Sequence, residues 1–346
     1  MVRPGRETPG RTGTVRRGPA RRAPGRCGAR RYEALPDAPL CAVPARIRAE
    51  AARSGPNWPM MVIIAAADEE DTMDEAGHQV PQPGTKPHTA RLYDYFLGGK
   101  THYAVDREAA VPALSANPHA MVAARQNREF MHRAARCVAQ DLGIRQFLDI
   151  GTGIPTEPNL HQVTQAITPE ARVVYSDNDP IVLAHARALM SSTPEGKTDY
   201  IEADIREPER ILERAHQTLD FDAPIALSVV ALLHFIPDED DPYGLMRRLL
   251  AALAPGSALV LSHAALDMDD GRMAALAEHY RKAVTPTQFR TREETALFFD
   301  GLDLLDPGIT PTCEWRTDLD LGPIRQLPGT ISAAEAGVWA GVAVKR

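Results

Sequence analysis

From residue 146 onward, short apolar runs alternate with stretches in which apolar residues recur at helical spacing. The runs have the length and the aliphatic content of strands that are buried on both faces. They lie within 146–150, 171–177, 200–205, 224–233 and 257–262. Helical spacing covers 208–219 and 243–253. This alternation predicts an α/β fold with a parallel sheet, right-handed crossovers and ligands at the carboxyl ends of the strands.

The first apolar run ends in Asp149 and then breaks into a turn with glycine at 151 and 153. The two glycines allow the backbone to approach a ligand without an intervening Cβ. Residues from Pro155 onward are expected to begin a helix whose first N–H groups face that ligand. A dinucleotide fingerprint would have a third glycine where Thr156 stands, and it would keep position 149 apolar. An acid beside this turn suits a cationic ligand, and the predicted cofactor is S-adenosyl-L-methionine.

The next two apolar runs also end in acidic residues. Asp177 lies 26 residues beyond Gly151, close to the distance at which nucleotide-binding folds place a carboxylate that accepts from both ribose hydroxyls. Asp204 closes the third run. Asp179 precedes a proline and is interpreted as a helix cap. The acids are therefore expected to meet at one edge of the sheet.

Several separated blocks resemble the actinobacterial S-adenosyl methyltransferase family long known as a domain of unknown function. The blocks are 91–100 (RLYDYFLGGK), 106–107 (DR), 126–128 (QNR), 176–180 (SDNDP), 232–238 (LLHFIPD) and 291–301 (TREETALFFDG), together with the Asp149 turn. The resemblance extends from about His88 to near the C-terminus. It departs at 101–103 (THY), where the family more often has an acid, an asparagine and an aromatic residue.

The resemblance implies a Rossmann-like class I methyltransferase fold, with a seven-stranded, mostly parallel sheet and an antiparallel last strand. The C-terminal sequence agrees, because 337–344 has the pattern of a closing strand and 311–317 that of its partner. The expected organisation is an extension and linker over 1–85, an N-terminal helical lid over 86–140, and a cofactor-binding core over 141–346.

The resemblance also implies the cofactor contacts. Asp149 and the turn 151–153 would hold the methionyl end, Asp177 the ribose, and Asp204 with Ile205 the adenine. Val230 and Ala231 would line the floor under the sulfonium. The full predicted cofactor-binding set is Tyr93, Asp149, Gly151, Thr152, Gly153, Asp177, Asn178, Asp204, Ile205, Val230 and Ala231.

Methyl transfer from a sulfonium is an in-line displacement that positioning alone accelerates strongly, so a general base is optional. His234 follows the fourth apolar run and is the candidate base, since histidine titrates near neutral pH. The alternative interpretation is that His234 caps the strand or hydrogen-bonds to the loop backbone. Tyr93 is a candidate aromatic wall for a cation, with helix packing as its alternative role.

Charge is distributed unevenly along the chain. Residues 1–55 contain 13 Arg, no Lys and 4 acids, a net charge of +9, which leaves −16 for the remainder of the chain of net charge −7. An acidic core argues against a nucleic acid substrate, because binding phosphates requires a basic surface. We therefore expect a small neutral or cationic methyl acceptor; the sequence predicts neither the methylated atom nor an oligomeric state.

The first 85 residues are rich in Arg, Pro, Gly and Ala and are expected to be disordered. A basic binding arm and a targeting segment are open interpretations, but translated upstream sequence is favoured, with Met60, Met61 and Met73 as candidate starts. The apolar stretch 60–67 is too short to span a membrane. The four cysteines have no metal-site spacing, which predicts a reduced cytoplasmic chain without zinc or disulfides.

Two other functions fit parts of the pattern. An NAD(P)-dependent oxidoreductase would use a related sheet, although Asp149 and Thr156 count against it. A non-catalytic regulator would keep the cofactor site and lack an acceptor site. Cofactor titration combined with a turnover assay separates these functions.

Overall fold

The computed structural model describes residues 86–269, 271–319 and 330–346. The predictions made for residues 1–85 lie outside the described residues. The helices are α1 (Thr89–Leu97), α2 (Ala104–Ala116), α3 (Ala120–Gln140), α4 (Leu160–Gln165), α5 (Pro180–Leu189), α6 (Pro208–Ala215), α7 (Pro242–Ala251), α8 (Arg272–Ala283), α9 (Arg292–Ala296) and α10 (Ala333–Ala336). The strands are β1 (Gln146–Ile150), β2 (Arg172–Asp177), β3 (Lys197–Glu202), β4 (Ala226–Val230), β5 (Ala258–Ala264), β6 (Leu302–Leu304), β7 (Thr310–Pro311) and β8 (Val338–Lys345).

The strands form one sheet in the order β3-β2-β1-β4-β5-β8-β6, and β7 also pairs with β8. Strands β1 to β5 are parallel to one another, whereas β8 is antiparallel to β5, β6 and β7. The strand order reverses between β1 and β4, the position at which open α/β sheets bind ligands. The predicted class I methyltransferase fold is confirmed.

Three details of the strand prediction change. Within the described part of the chain the sheet has eight strands rather than seven, because two short strands, β6 and β7, pair with different parts of β8. The prediction of a partner strand over 311–317 is wrong beyond its first residue. β7 ends at Pro311, which has no N–H to extend the hydrogen-bond ladder, and the chain then turns. The strand expected within 224–233 ends at Val230, and a 3₁₀ turn (Leu233–Phe235) follows it.

Alternate residues of the central strands face two helical layers. Leu148 and Leu227 belong to a core that includes residues of α6 and α7. Their neighbours Phe147 and Ala226 belong to a second core with residues of α3 and α4. Burial on both faces explains why these strands are continuous apolar runs in the sequence.

The N-terminal helices α1, α2 and α3 share a third apolar cluster with α8, built around residues such as Leu92, Phe96 and Met273. A buried ion pair holds α1 to α2, because Arg91 Nε donates to Asp106 Oδ2 at 2.8 Å. Asp106 also accepts from the backbone N–H groups of His88 and Tyr103, which secures the start of each helix. The same apolar cluster includes Ala264 at the carboxyl end of β5, so the three helices lie beside that edge of the sheet.

Candidate functional site

Three carboxylates from adjacent strands line one cavity of about 290 Å³. Asp149 lies in β1, Asp177 ends β2, and Asp204 follows β3. The strands are parallel neighbours, so their carboxyl ends meet at the same edge of the sheet. The structure therefore brings together the acids that the sequence predicted as neighbours.

The turn after β1 depends on its glycines. Gly151 has φ +76°, and a Cβ there would lie 2.8 Å from the side chain of Leu232. Gly153 has φ +67°, but a Cβ there would meet no atom within 4 Å. Its N–H donates to Asp177 Oδ2 at 2.9 Å and joins the turn to β2. Thr152 lies between them and lines the same cavity.

The helix expected from Pro155 begins later, at Leu160, with Asn159 as its N-cap. The intervening chain is a loop, because Pro155 and Pro158 have no N–H to donate. The Oδ1 of Asn159 accepts from the N–H of Thr156 at 3.0 Å. The expectation that this helix starts directly after the glycine turn is therefore wrong.

Arg128 of α3 stabilises this loop and lines the cavity. Its Nη2 donates to the carbonyl oxygens of Pro158, at 2.9 Å, and Thr156. Arg128 belongs to the block 126–128, but its role is not evident from the sequence. Only the docking of α3 against the sheet shows that this cation faces the cavity near Asp149.

Burial raises the pKa of Asp149 to about 6. Ser228 Oγ donates to Asp149 Oδ1 at 2.6 Å, and this bond and the Arg128 charge act in the opposite direction. Burial also raises the pKa of Asp177, whose two oxygens accept from the N–H groups of Gly153 and Asp179. Desolvated carboxylates of this kind are stabilised by a cationic ligand.

Asp204 has its own polar partners. Asn178 Nδ2 donates to Asp204 Oδ2 at 2.8 Å, and the Arg206 guanidinium lies 3.2 Å from Oδ1. Burial opposes ionisation of Asp204, yet its pKa is lowered because of these hydrogen bonds and the Arg206 charge. Asn178, Asp204 and the buried Ile205 all line the cavity.

The chain turns sharply where β4 ends. Ala231 has φ +56°, a strained conformation for a residue with a side chain. Its N–H donates to Ser262 Oγ at 2.9 Å, which holds the turn against β5. Val230 and Ala231 line the cavity, and the turn directs Leu232 toward Gly151.

A hydrogen-bond chain joins the N-terminal helices to that turn. The Tyr93 hydroxyl donates to the carbonyl oxygen of Ala124 at 3.1 Å and accepts from Asn127 Nδ2 at 2.9 Å. Asn127 Oδ1 accepts from Ser262 Oγ at 2.6 Å. Tyr93 lines the cavity, but its hydroxyl is already used for this tether. Neither Asn127, which lines the cavity, nor Ser262, which holds it, was predicted from the sequence.

His234 is buried and lines the cavity. The N–H of Ala264 points to His234 Nδ1 at 3.5 Å, a long contact that favours the tautomer protonated at Nε2. Burial lowers the pKa of His234 well below its ordinary value, as do His263 and Arg290. The side chain is therefore a neutral imidazole at physiological pH.

Arg290 fixes the loop that carries His234. It is fully buried and donates to the carbonyl oxygens of Leu233 and Ile236, each at 3.1 Å. Its Nη2 also pairs with Asp238 at 2.7 Å. The residues on both sides of His234 are thus held by one guanidinium, a contact that the sequence did not predict.

The acid-lined cavity and its glycine turn fit a cofactor with an ammonium, a sulfonium and a ribose, because desolvated carboxylates face a turn where the backbone is open. A family profile described as S-adenosyl methyltransferase matches residues 77–346. The chain belongs to this family. S-adenosyl-L-methionine is therefore its cofactor, and the chain is a SAM-dependent methyltransferase.

Two solved structures support this assignment. A DUF574 family protein from Streptomyces avermitilis is 42% identical, covers 76% of this chain and 99% of its own, and has a TM-score of 0.72. A candidate methyltransferase from Thermobifida fusca is 36% identical, covers 77% of this chain and 98% of its own, and has a TM-score of 0.69. The comparison with curated proteins found no match.

The described ranges also bear on other classes of site. No group of three or more His, Cys, Asp or Glu residues there is arranged to hold a metal ion. Cys137 and Cys313 are both free thiols. Within 86–269, 271–319 and 330–346, no helix has the length and apolar character needed to cross a membrane.

Proposed function

We propose that this methyltransferase transfers its methyl group to a small-molecule acceptor bound in the same cavity as the cofactor. The observation that carries the proposal is the continuity of the cavity, which runs from the three acids at the sheet edge, past Ala231 and His234, to residues of α8. A cofactor at the acid end and an acceptor at the other would meet near Ala231.

Each predicted contact has a role in this proposal. Asp149 and the 151–153 turn bind the methionyl end, where a carboxylate and open backbone suit an amino acid. Asp177 and Asn178 bind the ribose, and Asp204 and Ile205 bind the adenine. Val230 and Ala231 form the floor below the sulfonium. The positions of these residues around one cavity support the assignment.

The bound cofactor supplies an electrophilic methyl group with a neutral thioether as leaving group. The chain's contribution is to hold the acceptor in line with that methyl group and to exclude water. His234 is placed to donate from Nε2 to an acceptor atom. Because Nε2 would carry the proton and Nδ1 faces the Ala264 N–H, we expect His234 to orient the acceptor by a hydrogen bond and not to act as its base.

We infer that residues 86–140 act as a lid over the core formed by 141–346. Tyr93, Asn127 and Arg128 of this segment line the cavity. The Asn127–Ser262 hydrogen bond tethers the segment to the sheet. A lid that reaches both the cofactor turn and the β4 turn can couple cofactor binding to assembly of the acceptor site.

The acidic character of residues 56–346 supports a small molecule over a nucleic acid as the acceptor. The scattered cysteines support a reducing, cytoplasmic location for the reaction. Neither inference depends on the cofactor contacts.

The test combines binding with turnover. Calorimetry should give micromolar binding of S-adenosylmethionine, and release of S-adenosylhomocysteine should follow addition of a small-molecule metabolite extract. Asp177→Asn should weaken cofactor binding at least tenfold, whereas Asp199→Asn, a matched change on β3 away from the cavity lining, should not. Tight binding without turnover on any extract would favour a regulatory protein instead.

A further inference from the structure

The charged residues that line the cavity are confined to one end. They are Arg128, Asp149, Asp177, Asp204 and Arg206, all close to the carboxyl ends of β1, β2 and β3. The other end, beyond His234, is an apolar chamber defined by Phe96, Phe235, Met273, Leu276, Tyr280 and Phe289. No described residue that lines this chamber is an Asp, Glu, Lys or Arg.

The chamber is strongly aromatic. The ring of Phe235 lies 4.2 Å from that of His234 and 5.9 Å from that of Tyr280, measured between centroids. Phe289 lies 5.8 Å from His234, edge to face. Rings at these separations present faces and edges that favour a further aromatic ring.

Polar side chains also line this end of the cavity. Asn117 contacts Met273, with Nδ2 3.3 Å from Sδ, and Thr285 and Tyr280 line the cavity as well. Tyr280 is buried, burial raises the pKa of its hydroxyl, and that hydroxyl can pair with a ligand that carries a hydroxyl group. The N–H of Ala264 lies 3.5 Å from His234 Nδ1, so Nε2 is the ring nitrogen that can meet a ligand.

We infer that the apolar chamber is the acceptor subsite and that it takes an uncharged aromatic molecule bearing a hydroxyl group. This inference rests on the proposed function. A charged acceptor would lose its hydration with no opposite charge in the chamber, which is costly. The overall charge of the chain allows a neutral or a cationic acceptor. The lining of the chamber favours the neutral one.

The test uses three naphthalene probes of similar shape: 2-naphthol, the 2-naphthoate anion and the 2-naphthylmethylammonium cation. Each is titrated by calorimetry into the full chain saturated with S-adenosylhomocysteine. We expect 2-naphthol to bind at least tenfold more tightly than either charged probe, because only the neutral probe avoids an unpaired buried charge.

Variants locate the binding. Leu276→Asp should abolish 2-naphthol binding, whereas Leu297→Asp, the same change at an exposed leucine outside the chamber, should leave it unchanged. Tyr280→Phe should weaken 2-naphthol binding about fivefold through the lost hydrogen bond. All three variants should retain their affinity for S-adenosylhomocysteine, which also reports correct folding.

The outcomes separate the two proposals. With S-adenosylhomocysteine binding intact, equal or tighter binding of a charged probe would overturn the neutral acceptor and leave the methyltransferase site standing. The acceptor inference would also be overturned if neither Leu276→Asp nor Tyr280→Phe changed the affinity for 2-naphthol. Loss of S-adenosylhomocysteine binding by the wild-type chain would contradict the proposed function, and the acceptor inference would fall with it.

Discussion

The Ser228 hydroxyl on β4 donates to the Asp149 carboxylate on the neighbouring strand β1 at 2.6 Å. The two residues are register partners in a parallel pair. Burial raises the pKa of Asp149, and this hydrogen bond is the largest effect that lowers it. The bond therefore favours the ionised carboxylate that a cation can bind. Several consequences of this pairing can be measured.

Ser228→Ala should weaken cofactor binding. Loss of a hydrogen bond to a charged group costs about 1.5–3 kcal/mol and raises the pKa of Asp149 further. We expect an affinity for S-adenosylmethionine about tenfold lower at pH 7, measured by calorimetry. Ser115→Ala, at an exposed site on α2, is the matched control and should bind as the wild type does. Equal affinities for the two variants would show that Ser228 does not support Asp149.

Cofactor affinity should depend on pH through Asp149. Because its pKa in the free protein is about 6 and a cationic ligand favours the ionised form, affinity should be full above this pH and decline as the pH falls through it. Calorimetric titrations between pH 5 and 8 measure the curve. Asp149→Asn should bind more weakly and show a smaller pH dependence; an identical curve for this variant would assign the titration to another group.

The same carboxylate should cost stability in the ligand-free protein. The pKa of Asp149 is 3.8 in the unfolded chain and is raised to about 6 in the folded protein. The stability that Asp149 contributes is therefore fully present below pH 3.8 and is lost as the pH rises through about 6. Asp149→Asn should therefore increase the free energy of unfolding at pH 7.5 by about 1–3 kcal/mol, and much less at pH 4.

Chemical denaturation at the two pH values measures this gain. Asp303→Asn provides the control, because that exposed carboxylate pairs with Arg346 and its pKa is lowered. The control should give no stabilisation at pH 7.5. A destabilised Asp149→Asn protein at pH 7.5 would contradict the assigned cost of burial.

The ends of the strands were predictable, whereas contacts between distant segments were not. Asp149, Asp177 and Asp204 each lie at or just beyond the carboxyl end of a strand, and parallel pairing alone brings such positions together. Asn127 and Ser262 are 135 residues apart, and their hydrogen bond depends on how α3 docks. Met273, Leu276 and Tyr280 have ordinary helical spacing, so the sequence does not separate a cavity wall from a core.

Gly151→Ala should destabilise the fold more than the same change elsewhere. The positive φ costs about 1 kcal/mol for a residue with a side chain, and the added Cβ would also displace Leu232. Gly98→Ala controls for the φ cost alone, because Gly98 has φ +80° and open space around it. Thermal unfolding should show a larger loss for Gly151→Ala; equal losses would mean that Leu232 does not constrain the turn.

Asn127→Ala should uncouple the N-terminal helices from the sheet. It removes the donor to the Tyr93 hydroxyl and the acceptor of the Ser262 hydroxyl, and buried polar groups without partners cost about 1–3 kcal/mol each. A double-mutant cycle with Tyr93→Phe should give a coupling energy of about 0.5–1.5 kcal/mol by chemical denaturation. A coupling energy near zero would show that the tether does not join α1 to α3.

The central claim is that the acids at the sheet edge bind S-adenosylmethionine. The most direct measurement is calorimetric titration of the full chain, wild type and Asp177→Asn, with S-adenosylmethionine, S-adenosylhomocysteine and NAD. We expect micromolar binding of both adenosyl ligands, at least tenfold weaker in the variant, and no binding of NAD. Binding of NAD alone, or equal binding of the adenosyl ligands by both proteins, would contradict the account.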